Sequence, residues 1–204
     1  MDFQLNEDQL QIREMVRKFA QHEIAPIAVE VDREARFPVE TFKKMAELGL
    51  LGLLAPEAYG GVGQSILTFC VAMEEIASGC AATALSYLVH SVLCMHSLTI
   101  NGSEAQKEKY LPDMVAGKRF ASIAMTEPGA GSDVLSMQTA ARRCNGDYLL
   151  NGSKTFITNA PIADIFLVYA RTGTSGDQNG ISFFIVERGM PGFSVGQPFH
   201  KMGG

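Results

Sequence analysis

The chain has 204 residues, 47% hydrophobic and 19% charged, which is enough apolar material to bury a core and excludes a chain disordered as a whole. The 17 basic residues stand against 22 acidic ones for a net charge of -5, so the positive field that non-specific nucleic-acid binding requires is missing and no DNA or RNA partner is expected. Cys70, Cys80, Cys94 and Cys144 are too widely spaced for zinc-ligand pairs or a dense disulfide framework, and read as reduced thiols in a reducing compartment.

The opening MDFQLNEDQL has acidic and amide residues where a secretory signal would carry basic ones, and reads as a cytoplasmic start. Asn6 with Gln9 supplies a helix-start signal, and Ile12, Met15, Val16, Phe19 and Ala20 follow the spacing of an amphipathic helix that Pro26 is expected to bend or end. Pro38 suits the first turn of a second helix, with Phe42, Met45 and Leu48 on one face and Gly49 closing it. After a turn-rich segment, Pro56 to Gly63, the pattern predicts helices from Ser65 to Ser78, Ala81 to Ile100, and Ser103 (cap, with Gln106 three residues on) to Val115.

No Asp, Glu, Lys or Arg occurs between Glu75 and Glu104, a stretch long enough to span a bilayer. Ser78, Ser86, His90, Ser91, His96, Ser97 and Asn101 interrupt it, and polar groups at that frequency are costly in hydrocarbon. The stretch therefore predicts a buried helix rather than a membrane span.

Charge and pattern both change near Phe120. Residues 1–120 hold 11 basic and 16 acidic residues, whereas residues 121–204 hold 6 of each in short runs rich in Ile, Val, Phe and Thr, divided by Gly, Asn and Asp. The predicted class is α+β, an all-helical domain over 1–120 followed by a β-sheet or barrel-like domain over 121–204. In the second half, Ser136–Arg142 alternates like a strand. Asn151-Gly152 is read as a hairpin turn between Tyr148–Leu150 and Lys154–Ile157, and Ala163–Arg171, Gly180–Glu187 and Phe193–Val195 are expected to be strands.

Two segments can carry chemistry. In Ala121–Asp133, ASIAMTEPGAGSD, a strand enters a Gly-rich turn whose amides at Gly129 and Gly131 can approach an anion, with the Ser132 hydroxyl adding a donor. It is neither a P-loop nor a dinucleotide-binding fingerprint, and a plain turn between strands fits it equally well. In Lys154–Asn159, KTFITN, a strand would put Phe156 and Thr158 on one face, offering an apolar surface and a hydrogen bond to a flat ligand, although packing roles are commoner for such residues. His90 and His96 are six apart and cannot share a metal on a helix, Glu74 and Glu75 diverge, and Cys70 and Cys94 read as small core hydrophobes.

These segments, with YGG at Tyr59–Gly61, EAQKEKYLP at Glu104–Pro112, NGSKTFITN at Asn151–Asn159 and KMG at Lys201–Gly203, resemble the acyl-CoA dehydrogenase flavoproteins in family order. The resemblance implies a helical domain, a β domain and a C-terminal four-helix domain, with FAD as cofactor. It implies oxidation of an acyl-CoA thioester to the trans-2-enoyl-CoA, in fatty-acid or amino-acid catabolism, with electrons passed to an electron-transfer flavoprotein. Carried over by position, Ile123, Met125, Thr126, Gly131 and Ser132 line the flavin, Thr126 bonding its ring system and Ser132 near the pyrophosphate and the CoA side of the substrate. Phe156, Ile157 and Thr158 sit against the isoalloxazine, Thr158 close to N5. Leu85, Val89 and Leu93, about one turn apart, are expected to line the acyl pocket. The family often has Trp at the position of Phe156 and Tyr at that of Ile123. Its catalytic Glu lies beyond Gly204, so no catalytic residue is assigned here; Glu127 is read as structural, and the chain is expected to be a fragment that alone does not turn over substrate. A homotetramer or homodimer is expected, in a bacterial cytoplasm or a mitochondrial matrix. The alternatives are an acyl-CoA oxidase or related flavin oxidase or monooxygenase of the same fold, and a non-catalytic binding or assembly module.

Overall fold

The computed structural model describes residues 4–173, 177 and 179–201. It divides into two compact units, Met1–Arg119 with His200–Gly204 and Phe120–Phe199.

The first unit is helical. Helix α1 (Glu7–Phe19) starts in a capping box, the Asn6 side chain accepting from the Gln9 amide at 2.8 Å and the Gln9 side chain accepting from the Asn6 amide at 3.0 Å. It buries Val16 and Phe19. Pro26 does not end this helix: the chain passes through a π-helical segment (Ala20–Ile24) straight into α2 (Ala25–Glu34), with proline in the first turn of α2. A proline clashes with the carbonyl one turn behind it and brings no amide, and the widened turn ahead of it absorbs both defects. Helix α3 (Val39–Glu47) buries Phe42 and Met45 completely. Leu48, expected on the same face, is largely exposed because the helix has ended and Gly49 turns the chain at φ +73°, sending Leu50 and Leu51 inward instead.

Helix α4 (Ile66–Gly79) is capped by Ser65, whose Oγ accepts from the Thr68 amide at 3.2 Å. It buries Phe69, Ala72 and Ile76. Its buried Glu75 receives two hydrogen bonds from the Arg17 guanidinium of α1, at 2.6 and 3.0 Å. Cys70 faces solvent, so its reading as a core residue fails; that of Cys94, which is buried, holds. All four cysteines are free thiols.

The charge-free stretch forms one continuous helix, built from α5 (Ala81–Leu88), a π-helical segment (Val89–His96) and α6 (Ser97–Asn101). By length and composition it could cross a membrane. In the protein it is the core of the helical unit, with Tyr87, Met95 and Leu98 fully buried, each contributing about 1.5–3 kcal/mol of apolar burial. Its inward polar groups are matched to nearby carbonyls: Tyr87 Oη donates to Leu50 O at 2.7 Å, Ser91 Oγ to Leu51 O at 2.8 Å, and His90 Nε2 to Met114 O at 3.0 Å. Helix α7 (Glu104–Val115) opens with a second capping box, Ser103 with Gln106.

The second unit is a mixed five-stranded sheet of β1 (Ala121–Ala124), β2 (Ala140–Cys144), β3 (Asp147–Asn151), β4 (Ile165–Arg171) and β5 (Ile181–Glu187). Strand β4 is central and nearly all buried, which fits its unbroken apolar run. Strand β5 pairs antiparallel along its whole length. On its other edge β1 pairs parallel from Ile165 to Val168, and β2 pairs parallel at Arg171. Thus β1 and β2 lie end to end, and residues 125–139 leave and rejoin one edge of the sheet. Ala124, Ala163, Phe166, Val168 and Val186 form the core, with Ile157, Phe193 and Val195 packed against it.

Four expectations here are corrected. The hairpin turn is Asn145-Gly146, not Asn151-Gly152: β2 and β3 pair with Cys144 opposite Asp147, and both turn residues have positive φ, +51° and +92°. Asn151 instead ends β3, and Gly152 is required because a Cβ there would come within 2.3 Å of Thr139 Oγ1. Lys154–Ile157 is a loop and not a strand. Phe193–Val195 is not a strand either, and Val134–Ser136 form a 3-10 turn so that β2 begins only at Ala140.

Candidate functional site

The candidate residues of the sheet unit gather on two segments, the excursion 125–139 and the loop 152–160. At the end of β1 the chain reverses: Glu127 and Ala130 exchange both backbone hydrogen bonds, at 2.9 and 3.2 Å, around Pro128-Gly129. Pro128 presets the backbone at the first central position of that turn. No atom lies within 4 Å of a Cβ built on Gly129 or Gly131, so packing does not demand glycine at either place and the space beside the backbone is open.

The two segments are stapled together. The Thr155 amide donates to Thr126 O at 2.9 Å, and the hydroxyl of Ser122, on β1, donates to Thr158 O at 2.5 Å. The loop thus passes β1 in the opposite direction, tied by one backbone bond just beyond the strand and one side-chain bond from it. Below this contact lies a buried ion pair. Lys154 Nζ donates to Glu127 Oε1 at 2.8 Å and to Met125 O at 2.9 Å, while Glu127 also accepts from the amides of Gln138 at 2.6 Å and Thr139 at 2.9 Å. Burial alone would raise the Glu127 pKa, but Lys154 and the amide donors outweigh it and hold the carboxyl at about 2. Burial lowers the Lys154 pKa and Glu127 only partly restores it. Arg171, at the end of β4, secures the far side of the excursion by donating to the carbonyls of Met137 and Leu135.

Individual placements follow from this frame. Ile123 sits on β1 opposite Leu167, half-buried. Met125 and Thr126 are half-buried and present their carbonyls to Lys154 and Thr155. Gly131 and Ser132 are exposed. Phe156 is 67% exposed at φ +56°, its ring 5.2 Å from that of Phe199. An aromatic residue in the left-handed region is uncommon and costs energy, which marks the loop as shaped for more than packing. Since the loop is not extended, Phe156 and Thr158 do not share a strand face. Ile157 points into the sheet's apolar core and anchors the loop. Among the described residues, the hydroxyls of Thr126, Ser132 and Thr158 have no hydrogen-bond partner within the protein.

Leu85, Val89 and Leu93 belong to the helical unit and do not share one environment. Val89 is buried at 3% exposure, whereas Leu85 and Leu93 are exposed at 39% and 36%. All three lie on one continuous helix, Leu85 in α5 and Val89 and Leu93 in its π-helical segment, so what separates them is burial. Among the described residues no His, Cys, Asp and Glu cluster could hold a metal ion. Of KMG, only Lys201 is described; Met202 and Gly203 lie outside the described residues. Sequence reasoning missed the Lys154–Glu127 pair and the Arg171 clamp. Their partners are 27 to 36 positions apart, and only the sheet topology brings them together.

Comparison with known proteins identifies the class to which this helical unit and mixed sheet belong. Residues 6–118 match the family model "Acyl-CoA dehydrogenase, N-terminal domain", and residues 122–204 match "Acyl-CoA dehydrogenase, middle domain". The chain belongs to the acyl-CoA dehydrogenase family. It is 48% identical over 200 residues to the mitochondrial isovaleryl-CoA dehydrogenase of Arabidopsis thaliana, covering 97% of this chain and 49% of that one. Among solved structures it is similar to butyryl-CoA dehydrogenase from Megasphaera elsdenii (TM-score 0.90, 37% identity, 97% of this chain and 52% of that one). It is likewise similar to PigA, solved as an FAD complex (TM-score 0.92, 37% identity, 97% and 52%). The chain spans about half the length of the relatives it matches.

Proposed function

We propose that these residues supply the helical domain (1–120) and the FAD-binding β domain (121–204) of an acyl-CoA dehydrogenase that converts an acyl-CoA thioester to its trans-2-enoyl-CoA and passes electrons to an electron-transfer flavoprotein. The observation that carries this is the stapling of the excursion to the loop, which sets the unengaged hydroxyls of Thr126, Ser132 and Thr158 and the open backbone at Gly129 and Gly131 on two adjoining segments.

The group fits this arrangement. An FAD carries a flat ring and a pyrophosphate: the exposed Phe156 suits the first, and glycine amides with a free Ser132 hydroxyl suit the second. When bound, it supplies the hydride acceptor of the reaction. The residues of this chain hold and orient. Thr126 and Thr158 offer hydroxyls to the ring, Phe156 offers an aromatic edge, and Ile157 fixes the loop from below. Glu127 serves no proton transfer, because its carboxylate is already shared among Lys154 and two amides. No catalytic base is assigned within this chain. Leu85, Val89 and Leu93 retain a place in this proposal as helix residues toward the acyl group, with Val89 acting through packing. Four free thiols accord with a reducing compartment, bacterial cytoplasm or mitochondrial matrix.

Anaerobic addition of a short or branched acyl-CoA to the full-length protein is expected to bleach its flavin absorbance. A full-length protein without bound flavin overturns the assignment, and rapid recovery of colour in air moves it to an oxidase.

A further inference from the structure

We infer that Lys154 and Glu127 are positioning residues for the cofactor, a buried polar node that sets the geometry of both ligand-facing segments, and this rests on the flavin assignment above. At the node three stretches of chain meet through side chains. Glu127 and the Met125 carbonyl lie on the exit from β1, the amides of Gln138 and Thr139 on the return to β2, and Lys154 on the loop after β3. Both side chains are almost wholly buried, 9% and 5% exposed.

Two features separate this node from ordinary fold stabilisation. First, the β1–β4, β2–β3 and β4–β5 ladders are complete without it. Neither side chain takes part in those ladders. Second, the hydroxyls proposed to meet the ligand have no partner of their own within the described residues, so their positions are inherited from the backbone. At Met125, Thr126 and Thr155 that backbone is held by Lys154 or by the bond next to it. A buried ion pair is a poor source of net stability, since replacing both partners by apolar groups is often neutral, whereas removing one leaves an uncompensated charge. Its retention at the junction of the ligand loops accords with orientation as its role.

The test uses the full-length protein, stripped of FAD and titrated with FAD while flavin fluorescence is followed, beside thermal unfolding of the apoprotein. Lys154→Met is expected to weaken FAD binding by about tenfold or more, the loss of a charge-assisted hydrogen bond. At saturating FAD it is also expected to alter the flavin's visible spectrum. The double variant Lys154→Met/Glu127→Gln is expected to bind FAD better than Lys154→Met alone, because the stranded carboxylate is gone. Should Lys154→Met not fold, Glu127→Gln, which keeps an acceptor for one of the two amides, is expected to show a smaller loss of affinity and the same spectral change. Wild-type affinity and spectrum in the single variants, or strictly additive losses in the double, overturn the inference while leaving the flavin assignment intact. A wild-type protein that binds no FAD overturns both.

Discussion

Ser122, fully buried on β1, gives its hydroxyl to the carbonyl of Thr158 at 2.5 Å, so a side chain of the strand ties the loop to the sheet. Ser122→Ala leaves that carbonyl without its donor and is expected to cost about 1–2 kcal/mol. Urea unfolding of the sheet unit measures this directly. FAD retention is expected to fall alongside, since Thr158 then loses its tether.

Gly131 behaves differently from most glycines of the chain. Its φ is not positive and an added methyl meets nothing within 4 Å. Gly131→Ala is therefore expected to leave apoprotein stability within about 0.5 kcal/mol of wild type, yet to weaken FAD binding by occupying space at the open face. Equal FAD affinity in the variant shows that the ligand does not approach there.

Two further glycines rank in a definite order. Gly146, at φ +92° in the hairpin turn, is expected to cost about 1 kcal/mol on change to Ala, a backbone penalty with open space around it. Gly152→Ala drives a methyl within 2.3 Å of Thr139 Oγ1 and 2.6 Å of Thr139 Cα, and displaces a residue whose amide holds Glu127. Chemical denaturation is expected to show the larger loss at Gly152, and only that variant is expected to lose flavin.

Acid sensitivity has two separable windows. Burial holds the His90 imidazole at about pKa 4 against an ordinary 6.5, so as pH falls from 6.5 to 4 the unfolded chain takes up a proton that the folded chain refuses. Stability is full above pH 6.5 and declines across that window. Glu127 is held at about 2 against 4.5, so its contribution is full above pH 4.5 and is lost as pH falls through 2. Denaturation midpoints measured from pH 7 to pH 2 are expected to flatten in the upper window for His90→Gln and in the lower one for Glu127→Gln.

Arg17 and Glu75 bind each other unequally, the carboxylate buried and the guanidinium partly in water. Arg17→Met strands a buried charge, whereas Glu75→Gln leaves a cation that water can still solvate. The first is expected to lower the thermal midpoint more than the second. The reverse order in calorimetry would show that the pair contributes through Arg17 packing.

The helices were legible because their signals are local. Both capping boxes formed as their S/N-x-x-Q spacing predicts, and Val16, Phe19 and Phe42 fell on the buried faces. Legibility failed where a residue's partner is distant or its backbone is atypical. Two Asn-Gly pairs compete for one hairpin, and the pairing of Cys144 with Asp147 places the turn at Asn145-Gly146. Phe156 at φ +56° and Asn159 at φ +67° break the period-two rule on which a strand reading of KTFITN depended. The excess turn at Ala20–Ile24 likewise defeats a strict helical period ahead of Pro26, and the burial of Val89 beside the exposed Leu85 and Leu93 is not readable from spacing. The site's chemistry was visible as two motifs, but their staple at Lys154 and Glu127 was not.

Because β1 and β2 lie end to end on one edge of β4, the excursion between them is an inset in a strand that the sheet treats as nearly continuous. Loop length costs little free energy when its ends are already adjacent. Residues 133–136 can therefore be recut or lengthened at little cost to the sheet, provided that Glu127 keeps its grip on the amides of Gln138 and Thr139 and that Gly129, Gly131 and Ser132 stay in place for the ligand. Diversification of ligand preference in such a fold can proceed in that inset while the sheet beneath it is left untouched.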